Sequence, residues 1–415
     1  MFSRFLLVLI TFWVGAAAQT VSEVAPPYHI KTVCFRQNGQ VVPPIFSLRD
    51  TFWLEFDDLY GNEANYYFEI VHCDYDWKPS QLAQAEYLQG FDNQRIQDYN
   101  NSYNTLQLYS HYRLSFPNRF MQFRVSGNYL VRVLNENREI VFSRKFILVE
   151  DLVPVPLQVR RARDIKAVAE KQNLDFTIRP NTLQLQNPIK NIRVLLMQNG
   201  RFDNAITNIK PQYTIGTDLI YRYDTETQFW GGNEFRFFEN KDIRAANNNV
   251  ARVDSKGGTY NGYLFTDAAR GSGQYTYAPD INGGFAVRNM NVENNDIEAD
   301  YAWIYFSLSA PLVPAGRDVY INGMFNNYAL RDEYKMDYNA AKGIYEKALM
   351  LKQGFVNYQY VLADKNKRVD QANAIDGNYF ETENIYHVLV YYRENNGRYD
   401  RVIGRGQASS VDITN

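Results

Sequence analysis

The sequence is poor in cysteine and histidine, with 2 Cys and 4 His in 415 residues. Such a chain is no disulfide-stapled mini-protein, and its two thiols lack the close Cys/His spacing of a zinc site. A surplus of one charge is also missing. With 44 Lys+Arg against 46 Asp+Glu the formal charge is -2, so no bulk field is available for the phosphates of a nucleic acid or for an anionic membrane surface, and nucleic-acid binding is set aside. Beyond the N-terminus no apolar run reaches the roughly 20 residues of a bilayer-spanning helix. Helical periodicity is scarce and is expected only over Ser80–Tyr87 and Ala162–Gln172. No Gly-x-Ser-x-Gly elbow, His-Glu-x-x-His pair, P-loop or Gly-x-Gly-x-x-Gly before a helix occurs. The expectation is therefore a protein with no catalytic, metal-binding or cofactor-binding residues. No repeat of fixed period is evident either, which disfavours a solenoid or propeller.

What the chain has in quantity is aromatic residues, 15% of the total, with 32 Tyr and 26 Phe. That composition suits pleated, half-buried strands and predicts an all-β protein. At 45% hydrophobic and 22% charged the usage is that of globular proteins, and the length allows roughly two to four domains. At the N-terminus Arg4 precedes an apolar run from Phe5 to Val14 and then Gly15-Ala16-Ala17-Ala18. This is the layout of a secretory signal peptide over residues 1–18, cleaved after Ala18, and predicts an exported protein. No cysteine follows the cleavage site, so a lipid anchor there is not expected.

Residues 19–150 alternate in short runs, His29–Phe35, Thr51–Phe56, Tyr66–Cys73, Thr105–Phe116, Gly127–Leu134 and Glu139–Val149, separated by Gly, Pro, Asn and Asp turns. The pattern is that of an immunoglobulin-like β-sandwich, with Tyr129 placed just after a tight turn to pack at a strand corner. Two prolines in Asp151–Pro156 mark a boundary. Residues 151–299 read as a middle β domain with long hairpins. Residues 300–415 read as a C-terminal sandwich, in which Val319–Tyr328 resembles the first hairpin of starch- and glycogen-binding modules of E-set fold, with Tyr328 at the sugar-stacking position. The fold expectation is thus tandem immunoglobulin-like and E-set-like β-sandwiches with long loops.

Few side chains stand out as chemistry. Asp57-Asp58 and His72-Cys73-Asp74-Tyr75-Asp76-Trp77 gather carboxylates near one histidine, which suits either acid/base work or turn capping. His111 and His387 stand alone inside strand patterns. Cys34 and Cys73 can close a disulfide in an oxidising compartment, or be two small buried hydrophobes on neighbouring strands.

Several phrases, in order along nearly the whole chain, resemble the plug protein family of the type IX secretion system. They include Phe56-Asp57-Asp58-Leu59, His72–Ser80, Asp98-Tyr99, His111-Tyr112, Gln198-Asn199-Gly200-Arg201-Phe202-Asp203, Gly232–Arg236, Gly323–Tyr328, Lys352–Tyr360 and Tyr391-Tyr392-Arg393. The resemblance implies a non-enzymatic periplasmic protein that binds a very large outer-membrane β-barrel translocon and plugs its periplasmic opening, peripheral to the membrane through protein contact. Part of that contact is expected on the irregular stretch carrying Trp77, Tyr87, Phe91, Tyr99 and Tyr103, where the same aromatics can instead cap the end of a core. The competing expectation is an exported carbohydrate-binding β-sandwich protein.

Overall fold

Alternation along strand β3, Tyr67–Cys73, turns Phe68, Ile70 and His72 to one side and Glu69, Val71 and Cys73 to the other. The same rule orders every strand of the first domain. In the computed structural model, which describes residues 20–181 and 183–413, β1 (Ile30–Gln37), β2 (Phe52–Asp58) and β4 (Ser110–Phe116) form one antiparallel sheet. A second sheet holds β3, β5 (Gly127–Leu134) and β6 (Ile140–Val149). Between the sheets lie Phe35, Phe46, Phe52, Phe56, Tyr112, Phe116, Tyr129, Phe142 and Phe146. Phe46 and Phe52 stack with centroids 3.7 Å apart. Each such ring contributes about 1.5–3 kcal/mol on burial. The corner expected at Tyr129 forms, its hydroxyl donating to the Val125 carbonyl at 2.7 Å. The expected signal peptide lies outside the described residues.

The other two domains are not consecutive in sequence. In the second, β7 (Leu157–Arg161) and β8 (Lys171–Ile178) share one sheet, while β9 (Ile192–Gln198) shares another with β15 (Ile385–Tyr392) and β16 (Arg401–Ser409). Their common core runs from Val153 to Phe229 and resumes at Tyr386. The third domain is inserted between these halves. Its strands β10 (Tyr260–Leu264), β11 (Tyr301–Ser309) and β13 (Ile344–Lys352) face a sheet of β12 (Arg317–Asn322) and β14 (Gly354–Asp364), around a core of Phe238, Ile304, Phe306, Ile321, Leu349 and Tyr358. The linear division at 299/300 is thereby corrected: residues 385–409 complete the middle domain's sheet, and residues 236–299 supply strands to the third. Sequence periodicity says which segments are strands, not which strands pair.

Ala162–Gln172 is not helical. The Asp164 side chain accepts from Lys166 N, a local bond that competes with the helical ladder, and β8 begins at Lys171. Ser80–Tyr87 keeps only one turn, Gln84–Tyr87.

Candidate functional site

Of the five aromatics expected at a partner contact, packing claims three. Trp77 lies between domains, edge-on to Phe202 at 5.5 Å and under Lys145 at 4.4 Å. Tyr87 and Tyr99 pack on the first core, Tyr99 stacking on Tyr112 at 5.4 Å. Phe91 and Tyr103 are exposed, but Phe91 sits beside Phe120 while Tyr103 N–H donates to Ile297 of the third domain at 2.9 Å. The five do not form one patch.

Nor do the cysteines meet. Both are free and buried. The side chains facing the first core on β1 and β3 are Ile30, Val33, Phe35, Phe68 and Ile70, so Cys34 and Cys73 point out of opposite faces of the sandwich. Sheets packed about 10 Å apart put such residues beyond disulfide reach.

The outer face of the first sheet carries Lys31, Thr32, Cys34, Arg36, Glu55, Asp57, His111 and Arg113, and the third domain covers it. Asp57 is fully buried and accepts from His111 Nδ1 at 2.7 Å, Tyr301 OH at 2.6 Å and Lys352 Nζ at 2.7 Å. Burial alone would push this carboxyl up, but Lys352 and His111 hold it down at about 2. Lys352 Nζ lies 4.2 Å from the Tyr109 ring centroid and donates to the Asp296 carbonyl. Burial raises the Glu55 carboxyl against the pull of Arg36. Glu55, His111 and Asp296 offer ligand atoms within 4.8 Å of one another. Arg36 already bridges the two carboxylates, with Nε 2.8 Å from Glu55 and Nη1 3.2 Å from Asp296. Its charge answers the need that a cation would meet, so the trio reads as an interdomain clasp.

Several of the phrases singled out in the sequence meet at the domain junctions. Tyr75 OH donates to the Val194 carbonyl at 2.7 Å, and Arg393 pairs with Asp74 at 2.7 Å and Asp400 at 2.8 Å. Within the second domain Asn199 and Asn384 join at 2.8 Å and fix the turn that reaches the first. Gly200, at φ 68°, leaves no room for a side chain beside Pro43. Arg201 lies 4.3 Å from the centre of the Tyr328 ring, and Tyr328 is buried. The sugar-stacking position is therefore closed, which removes the residue on which the carbohydrate reading depended.

One exposed apolar face does exist. Tyr60 is 66% exposed, Tyr103 69% and Leu108 62%, with Leu106 beside them. Gly61 abuts Leu108, Gln107 Nε2 donates to the Leu59 carbonyl at 3.1 Å, and the Asp300 carboxylate accepts from the Leu106 and Gln107 amides. Leu59 packs with Trp303 against Tyr109, Tyr301 and Met350. Trp303 alternates on β11 with Tyr305, which stacks on Tyr263 at 4.4 Å. The face thus runs from the first domain onto the third. Sequence reasoning found only Tyr103 of this set, because Tyr60, Leu106 and Leu108 read as ordinary loop and strand residues.

Residues 30–150 match the family model described as the type 9 secretion system plug protein 1st domain. The chain belongs to the type IX secretion system plug family. It is also similar to a solved structure described as a hypothetical protein from Parabacteroides merdae ATCC 43184, with 34% identity, a TM-score of 0.90, and coverage of 94% of this chain and 100% of that one. No curated protein matches the chain.

Membership in the plug family makes the protein a component of the type IX secretion system, associated with its machinery and with the cell envelope. Among the described residues no helix is long and apolar enough to cross a membrane. Residues of the plug-family phrases join the three sandwiches at Asp57, Tyr75, Gly200 and Arg201, so that an exposed face shared by two domains is held in register.

Proposed function

We propose that the protein is a periplasmic, non-enzymatic plug, exported by cleavage near Ala18, that seats on the periplasmic opening of the large outer-membrane β-barrel of the type IX system and closes it. The observation that carries this reading is the exposed face of Tyr60, Tyr103, Leu106 and Leu108 continuing to Tyr305 across two clasped domains. A seal needs a bulky body whose contact residues do not move relative to one another. Tyr and Leu on rigid strands and strapped loops supply contact area at low entropic cost. The near-zero net charge suits a contact made by shape and aromatic anchors more than by steering.

The test is a tagged pull-down from detergent-solubilised envelope of the source organism, with mass spectrometry of the partners. Wild-type protein brings down one very large barrel. The double variant Tyr60→Ala, Leu108→Ala loses it while melting at the wild-type temperature, since both side chains are exposed. A wild-type protein that returns no barrel overturns the reading; a double variant that retains the barrel moves the seat to another face.

A further inference from the structure

The first domain meets both neighbours through polar pairs, Arg393 with Asp74 and Arg401 with Glu150 on the side of the second, but the two interfaces differ in apolar content. Toward the second domain, Tyr75, Ile147 and Val149 join Leu195, Met197, Leu389, Tyr391 and Val402 in a buried apolar cluster. Toward the third, the shared apolar contact is smaller: Tyr109, Tyr301 and Met350 with Leu59 and Trp303 beside them, and Cys34 with Val41 against the third domain's core. The rest is polar: Asp57 with Lys352, Arg36 with Asp296, Lys31 with Glu333 at 2.6 Å, Asn327 with Glu23 at 2.7 Å, and Arg331 with the Pro26 carbonyl at 2.8 Å.

Cavities border the same line, the first two where the second domain also meets it. One of about 730 Å³ is walled by Val41, Phe285 and Met324. The next, about 270 Å³, shares Met324 and adds Cys34 and Arg144. A third, also about 270 Å³, shares Arg144 and adds Thr32 and Tyr334. Side chains that face a void forfeit the dispersion contacts of a filled interface. The groups of the clasp regain water when separated, whereas the apolar residues facing the second domain would lose their burial outright. The seam is therefore the weakest of the first domain's boundaries and the one where sub-global opening costs least.

We propose that the first and third domains part along this seam while the first and second stay joined. The exposed face spans the seam, with Tyr60 and Leu108 on one side and Trp303 and Tyr305 on the other, so parting splits it and releases the plug. This second step rests on the seating proposed above. The Asp300 carboxylate, which holds the Leu106 and Gln107 amides of the first domain, is the strap that couples the two events.

The two cysteines are built-in reporters. Cys34 lines the seam and Cys73 lies on the opposite outer face; burial pushes both thiols up to about 12, so neither reacts while covered. The full mature protein is treated with a PEG-maleimide too bulky for the cavities, and each thiol is followed by peptide mass spectrometry. The expected result is that Cys34 labels faster than Cys73 in the wild type, and that Lys352→Met raises the Cys34 rate roughly tenfold or more, because one partner of a buried pair has been removed from the closed state alone. Cys73 controls for global unfolding in every variant. Lys31→Ala, a milder change at the rim, moves the Cys34 rate in the same direction. Equal rates for the two thiols, or a Cys34 rate indifferent to both substitutions, overturns the proposal. The labelling needs no barrel, so its failure is distinct from a failed pull-down.

Discussion

Lys352 Nζ donates to Asp57 Oδ2 at 2.7 Å across 295 residues of sequence, with both side chains buried. The pair joins β2 of the first domain to β13 of the third. A buried pair adds little over an apolar substitute of equal volume, but loss of one partner strands the other charge. Lys352→Met should therefore destabilise the protein by about 3–5 kcal/mol, whereas Asp57→Asn with Lys352→Met together should cost markedly less than the sum of the two. Urea unfolding of the four proteins of this cycle checks it. Strict additivity would show that the two residues do not act as a pair.

Acid stability gives a second expectation. Burial, reinforced by the nearby Arg405, lowers the His387 imidazole to about 4 in the folded state. The unfolded value is about 6.5. The unfolded chain thus binds the extra proton first, so the stability that neutral His387 contributes is complete above pH of about 6.5 and is lost as pH falls toward 4. The loss is on the order of 3 kcal/mol. His387→Gln removes this dependence, and the difference between the wild-type and variant urea midpoints, followed from neutral pH down to about 4.5, isolates the group from others that titrate in the window. Parallel curves for the two proteins would contradict the burial of His387.

Much of the strand content was legible because alternation and turn residues are local signals. Gly127–Leu134, Ile192–Gln198 and Ile385–Tyr392 lie where periodicity places them. The insertion of the third domain was not legible, since β9 pairs with β15 through residues nearly 200 positions apart and nothing in either strand names its partner. The proposed face was not legible for a related reason. Tyr87 and Tyr99 break strand alternation, as surface anchors would, yet both lie on the first core, while Tyr60, Leu106 and Leu108 become a face only when the Gly61 turn and the Asp300 strap bring them together. The clasp of Asp57, His111 and Lys352 was visible in the sequence as three unconnected residues in family phrases.

Two glycines separate backbone strain from interdomain contact. Gly200 and Gly216 both adopt left-handed conformations, with φ 68° and 58°. A side chain at Gly216 would meet open space, whereas at Gly200 its Cβ would fall 2.4 Å from Pro43 Cβ of the first domain. Gly216→Ala should cost only the conformational term, about 1–2 kcal/mol. Gly200→Ala pays the same term and must also push the turn of Asn199 and Arg201 away from Pro43, which adds an overpacking cost of roughly 1–3 kcal/mol. The displaced turn carries Arg201 off the Tyr328 ring, so the extra loss falls on the contact between domains. Thermal melts of the two variants side by side decide the matter: equal losses would mean that Pro43 yields freely and that the Asn199–Arg201 turn does not brace the junction.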